Sequence, residues 1–329
     1  MGQSRRHVML LSVMVGTVLL ITKVIAWRVT GSAAVLSDAL ESIINVVASL
    51  FALFAIWLSD QPADENHPYG HGKIEFFSAG FEGALIMLAA IGIVVAAVGR
   101  LLSPREVEQI SLGMILVGAS GAVNLIMGIH LKRTGRACGS MALEADGQHL
   151  LTDWWTSVGV VVGLALVHWT GWVLLDPLLA IGLAAHILWN GWGLVRASAG
   201  RLLDEADDEL LDSIALTLRE ARRTGHLTPH QLRATRHGQN LVVDLHIFMP
   251  RYWELSVIHS ESDAIEHSLH DRFGSETQAI IHIDPCRMDH CVRCDVSDCP
   301  VRIEEQSITE EWTATQMRSQ GEHPDFDLK

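Results

Sequence analysis

Leu36-Ser-Asp-Ala-Leu-Glu-Ser-Ile-Ile-Asn45 and His149-Leu-Leu-Thr-Asp153 decide the reading of this chain. The first lies inside the apolar run Ala33–Leu58 and the second inside Ala142–Val167. Glu41 and Asn45, like His149 and Asp153, stand four residues apart, so each pair shares one helix face. An ionisable side chain at mid-bilayer costs roughly 2.5–3.5 kcal/mol on insertion scales and needs a partner or a function. Two such pairs in two spans point to one four-ligand cation site inside a membrane.

The runs Val8–Trp27, Ala33–Leu58, Phe77–Gly99, Ser111–Leu131, Ala142–Val167 and Trp172–Val195 are each long enough to cross a hydrocarbon core, which takes ~20 residues. Short connections make antiparallel hairpins of the first two and of the last two. The first run reads as a retained helix rather than a cleaved signal. Arg5, Arg6, Lys73, Lys132, Arg133, Arg136, Arg196 and Arg201 flank one side, against Arg28, Arg100 and Arg105 on the other. That bias puts both termini in the cytoplasm. Counted along each helix at 1.5 Å per residue, Glu41 then lies about 12 Å from the outer face and Asp153 about 16 Å from the inner face. Those depths sum to roughly the ~30 Å core, so the two pairs share one level. Carboxylates, an amide oxygen and an imidazole suit first-row divalent ions, and the same groups take up protons when the metal leaves. The bland alternative is interhelical hydrogen bonding. Asp38 shares the face of Glu41 and Asn45, one turn nearer the outside, as an exit-side ligand or a solvated acid. Glu82, Asn124 and His186 read as packing or pathway residues.

Charge is uneven across the 329 residues: 11 Lys+Arg against 13 Asp+Glu up to residue 196, and 13 against 25 after it, so −2 and −12 make the total of −14. The acidic second part argues against nucleic acid, which needs a basic surface. After Arg201 the pattern is that of a soluble domain: a helix over Asp207–Arg223, strands over Gln231–Arg236 and Leu241–Met249, a helix marked by Ile258, Ile265 and Leu269, and a strand over Thr277–Ile283. The expected class is therefore six transmembrane helices (1–200) followed by a compact cytoplasmic α-β-β-α-β domain of ferredoxin-like type (201–285). A Cys-rich tail (286–305) and a polar tail expected to be disordered (306–329) complete it.

Three further clusters have ligand chemistry. Asp64, His67 and His71 occupy a Pro- and Gly-containing loop, as a zinc-type group or a polar loop with incidental histidines. His230, His246, His259, His282 and Asp284 are spread over several elements of the soluble domain, and spacing alone leaves a shared site open. Cys286-x4-Cys291-x2-Cys294-x4-Cys299, with His290, has thiolates enough for a tetrahedral ion, against a reduced tail that binds nothing. No GxxxxGK[ST], HExxH or GxSxG occurs in the sequence, so neither nucleotide-driven pumping nor a familiar enzyme class has a motif behind it.

Taken together, the span-two segment 36–45, the loop Gln61-Pro-Ala-Asp-Glu-Asn-His-Pro-Tyr-Gly-His-Gly-Lys73, His149-x3-Asp153 and Ile280-Ile-His-Ile-Asp-Pro285 resemble the cation diffusion facilitator family, its bacterial iron/zinc-type members above all. The resemblance runs from about Leu11 to Pro285. It implies a homodimeric divalent-metal/proton antiporter in the bacterial inner membrane, exporting Zn²⁺ or a similar ion (Fe²⁺, Cd²⁺, Mn²⁺, Co²⁺). By resemblance, Glu41, Asn45, His149 and Asp153 form the transport site, Asp64, His67 and His71 a loop site, and His230, His246, His259, His282 and Asp284 a binuclear site. One departure stands out: the iron/zinc-type pattern in span two is Asp-x3-Asp, and here it is Glu41-x3-Asn45. The site thus has one carboxylate fewer, and its oxygen-rich set should tolerate harder ions than a His-rich one. A membrane-bound metal sensor and a proton-uncoupled channel are the competing readings. The sensor leaves the intramembrane quartet unexplained, and a channel needs weaker or multiple sites.

Overall fold

A computed structural model describes residues 2–30, 33–102, 110–170, 175–238, 240–274 and 276–319. The side chains of Asp38 and Glu41 lie outside the described residues. Six long helices come first: α1 (Gly2–Thr30), α2 (Ala33–Ser59), α3 (Ile74–Leu102), α4 (Ile110–Cys138), α5 (Met141–Thr170) and α6 (Leu175–Leu202). They cover the first five apolar runs and the sixth from Leu175 onward (residues 172–174 lie outside the described residues). Most continue past the run ends because polar end residues extend the backbone ladder beyond the hydrocarbon limit. Arg5–Ile25, Ser42–Ser59, Ile74–Gly99 and Pro177–Leu202 are long and apolar enough by themselves to cross a membrane. Val18, Ile25, Val47, Leu88, Val95 and Trp189 lie exposed along these helices, a surface that only lipid or another apolar partner would cover.

Glycine brings the helices close. A methyl group added at Gly147 of α5 would stand 2.7 Å from the backbone nitrogen of Lys132 on α4, and one at Gly128 would stand 2.9 Å from the carbonyl of Gly147. Gly83 and Gly191 meet in the same way between α3 and α6. Small residues at crossings are how helices gain contact in a solvent as apolar as their own side chains. α5 packs on α2, α3, α4 and α6, which puts its polar face in the middle of the bundle.

Polar clamps hold one end of the bundle. Arg5, only 1% exposed, donates to Glu75 at 2.8 Å and also to Asp60. Arg6 reaches Asp60 at 2.6 Å, and the hydroxyls of Ser59 and Ser140 donate to Glu75. A buried guanidinium is tolerable only with such partners, and these tie α1 and the end of α2 to the starts of α3 and α5.

The second unit begins at Asp204, against an expected start at residue 201, because α6 stays helical through Leu202. It contains α7 (Asp208–Glu220), β1 (Pro229–His237), β2 (Asn240–Met249), α8 (Leu255–Phe273) and β3 (Thr277–Pro285). Asp207 starts α7 by accepting the amide of Leu210 at 3.1 Å. The sheet order is β1-β2-β3, antiparallel and then parallel, as the hairpin turn at Gly238 (φ +67°) and the α8 crossover require. Leu241, Val243, Leu245, Ile247 and Met249 face a core with Leu211, Ile214, Leu218, Ile265 and Leu269.

The end of the chain departs from expectation. Residues 306–319 are not a loose polar tail. Trp312 (3% exposed) and Met317 (0%), on and beside the short helix α9 (Ala314–Met317), complete that same core. Arg222 lies over the Trp312 ring at 4.9 Å, and the amide of Gln231, at the register shift in β1, donates to the carbonyl of Ser319. Composition averaged over the window hid two large apolar anchors. The Cys-rich segment 286–305 is likewise packed down, through a 3-10 turn at Met288–Arg293 and an apolar cluster of Leu227, Phe248, Cys294, Cys286 and Val296.

Candidate metal sites

Three of the four expected intramembrane ligands meet. Asn45 on α2 donates through Nδ2 to Asp153 Oδ2 at 2.7 Å, and its Oδ1 lies 2.9 Å from His149 Nε2. His149 Nε2 stands 3.9 Å from Asp153 Oδ2, with both side chains largely buried. With the amide oxygen as acceptor, Nε2 is the donor, so the proton sits on the nitrogen that would otherwise face a metal. Glu41 is one turn along α2 on the same helix, and its side chain, like that of Asp38, lies outside the described residues.

Sequence reasoning missed Asp146. It stands three and seven residues before His149 and Asp153, on the same face of α5, and is fully buried. Ser12 of α1 and Ser49 of α2 donate to its two oxygens at 2.8 and 2.7 Å. The search for pairs four apart passed over the i, i+3 spacing that marks it. Glu82 of α3, also buried, lies within electrostatic reach of Asp146, His149 and Asp153. The bundle interior therefore carries a line of acids with the histidine among them.

In the loop before α3, Asp64, His67 and His71 come together. Asp64 accepts the amides of Asn66 and His67 at 2.9 and 2.7 Å, and it lies 3.1 Å from His67 Nδ1 and 3.3 Å from His71 Nε2. The His67 amide is the main cause that holds the Asp64 carboxyl below its ordinary range, so it remains an anionic acceptor in mild acid. Gly70, at φ +80°, turns the chain so that His71 faces back to Asp64.

On the sheet, register aligns His230, His246 and His282 as cross-strand neighbours on the face opposite the core. Asp284 Oδ2 lies 3.1 Å from His246 Nδ1 and 3.4 Å from His230 Nε2, and these three form a compact ligand group. His282 adjoins it, its ring 4.4 Å from that of His246. His259 does not join. It is 75% exposed on α8 and lies against Asp263 at 3.5 Å. Cys286, His290, Cys291, Cys294 and Cys299 line one small pocket at the end of this face, with all four thiols free.

Residues 9–203 match the cation efflux transmembrane domain and residues 206–286 the cation efflux protein cytoplasmic domain. The chain belongs to the cation efflux family. Its bundle and its soluble unit are thus the two parts of a membrane transporter for divalent metal ions, not of an enzyme. It is 40% identical over 264 residues to the uncharacterized transporter sll1263 of Synechocystis sp., covering 79% of this chain and 84% of that protein. It is 32% identical over 272 residues to the cation-efflux pump FieF of Yersinia pestis and of Yersinia pseudotuberculosis, covering 82% of this chain and 89% of theirs. The cytoplasmic-domain match ends at Cys286, so the remaining cysteines and Trp312 belong to an extension beyond the shared region.

Proposed function

We propose that this cation efflux protein is a homodimeric antiporter that exports Zn²⁺ or a similar divalent ion (Fe²⁺, Cd²⁺, Mn²⁺, Co²⁺) in exchange for protons. Its setting is a bacterial inner membrane with both termini in the cytoplasm. The observation that carries this reading is the buried meeting of Asn45, His149 and Asp153 from two helices. The substrate ion takes Asp153, the Asn45 amide oxygen and His149 Nε2, with Glu41 as fourth ligand. To accept an ion, His149 must give up or move the Nε2 proton, and the Asn45–Asp153 hydrogen bond must break. Any proton that His149 as imidazolium, or a protonated carboxyl of the site, carries in the empty state leaves when the ion binds, and its return to the same group expels the ion. Asp146 and Glu82 offer proton-carrying groups beside the site. The rocking of helices around a fixed mid-membrane site supplies alternating access. Asp64, His67 and His71 gather ions at the cytoplasmic mouth, and the His230–His246–Asp284 group, with His282 adjoining, holds metal that fastens the dimer. The dimer reading is supported by the cytoplasmic-domain match.

Asp153→Ala tests this directly. The variant should lose metal flux in proteoliposomes while keeping the wild-type elution volume as a folded dimer. Flux at the wild-type rate would overturn the assigned site.

A further inference from the structure

Cys286, at the limit of the shared region, and the three cysteines beyond it line one pocket. Cys286 directly follows β3, its amide donating to the Met249 carbonyl at 2.8 Å, and its sulfur accepts the amide of Arg251 at 3.4 Å. Cys291 and Cys294 form a tight turn, with the Cys294 amide 3.2 Å from the Cys291 carbonyl, and Cys299 lines the same pocket. Arg302 clamps this loop from below: its guanidinium donates to the carbonyls of Cys291, Cys294 and Val296 at 3.3, 2.9 and 2.6 Å. The thiols are spaced more widely around the pocket than the ligand atoms of the two compact groups described above, and none is paired in a disulfide.

We propose that Cys286, Cys291, Cys294 and Cys299 form a separate tetrathiolate site for a soft d¹⁰ divalent ion, Zn²⁺ or Cd²⁺, resident in the protein and not transported. The chemistry is that of a closed structural site: four sulfurs, a CxxC turn and a backbone amide already directed at one sulfur. Bringing four sulfurs to ~2.3 Å of one ion requires the loop that carries Cys291, Cys294 and Cys299 to close toward Cys286, which the sheet holds in place. Binding removes one proton from each thiol, so a dication and four thiols give a complex of charge −2 and four protons to solvent. Arg251, Arg287 and Arg302, all at the pocket wall, offset that charge. His290 also lines the pocket; its Nδ1 is engaged by the Arg287 amide, and its ring lies 4.1 Å from Phe248. Phe248 in turn stacks on His230 at 4.7 Å, so the bound ion would stiffen the back of the histidine face.

The test uses the full chain, purified reduced and anaerobically in detergent. Loaded with Co²⁺, it should show intense near-ultraviolet thiolate-to-cobalt charge transfer. The band should vanish in Cys294→Ser and Cys299→Ser and persist in His246→Ala. With Zn²⁺ present, thiol titration of the wild type should fall from five reactive cysteines to one, Cys138 remaining. The titration needs no variant, so a poorly folded substitution does not decide the matter. Absence of the charge-transfer band, unchanged thiol reactivity with Zn²⁺, or disulfides in the anaerobic protein would each overturn the site. Metal flux is a separate readout: Cys299→Ser should still transport, so loss of this site and failure of the transport reading are distinguishable.

Discussion

Asn45 and Asp153 are 108 residues apart in the chain and 2.7 Å apart in the structure. Their meeting was legible because an ionisable residue in an apolar helix is costly enough to carry information on its own. Asp146 carried the same signal at a different spacing, and its two serine donors, from α1 and α2, have no local pattern at all. His226 was equally invisible. It is buried between α7 and β1 with Nε2 3.0 Å from Glu261 of α8. Burial outweighs the attraction of Glu261 and lowers the His226 pKa below its ordinary 6.5. The unfolded chain therefore binds a proton near pH 6.5 that the folded domain refuses, so this contribution to stability is present above that pH and declines as pH falls below it. Hydrogen exchange of peptides around 226–237, corrected for intrinsic rate, should accelerate between pH 7 and 5.5. His226→Gln should remove that dependence; an equally steep profile in the variant would assign it to other groups.

At the scale of elements, period and composition predicted the helices and strands well, because each has one face that must be apolar. The close approach of α4 and α5 depends instead on Gly128, Gly135 and Gly147, whose meaning appears only once their partners are known. Gly147→Leu should force these helices apart at the level of the transport site, costing about 1–3 kcal/mol or more. It should lower both folded yield and flux. Gly118→Ala, which meets nothing within 4 Å, should leave both unchanged. The segment 306–319 escaped sequence reading for a different reason. Its contribution rests on two side chains, Trp312 and Met317, in a polar setting with no period. Trp312→Ala should destabilise the cytoplasmic unit by ~3–5 kcal/mol, read as a lower urea midpoint. A midpoint shift under about 0.5 kcal/mol, typical of surface positions, would return this segment to the status of a tail.

For the whole molecule, sequence reasoning reached the division into a membrane bundle and a soluble αββαβ unit, and it named three candidate ligand groups, the one on the sheet only by resemblance. It did not reach what comes after Cys286, where the chain leaves the region shared with its family and folds back onto the domain. His259 marks another limit. Resemblance grouped it with the sheet histidines, and the described protomer leaves it exposed beside Asp263. The central claim is that two helices in this bundle form one site that exchanges metal for protons. Purified protein in liposomes should be given Zn²⁺, Cd²⁺, Fe²⁺, Mn²⁺ and Co²⁺ in turn, with a metal indicator and a pH dye on opposite sides. The account predicts saturable flux of at least one ion with protons moving the other way, in a selectivity order set by the pair Glu41 and Asn45. Metal flux with no proton movement, or none in protein shown to be folded, would contradict it.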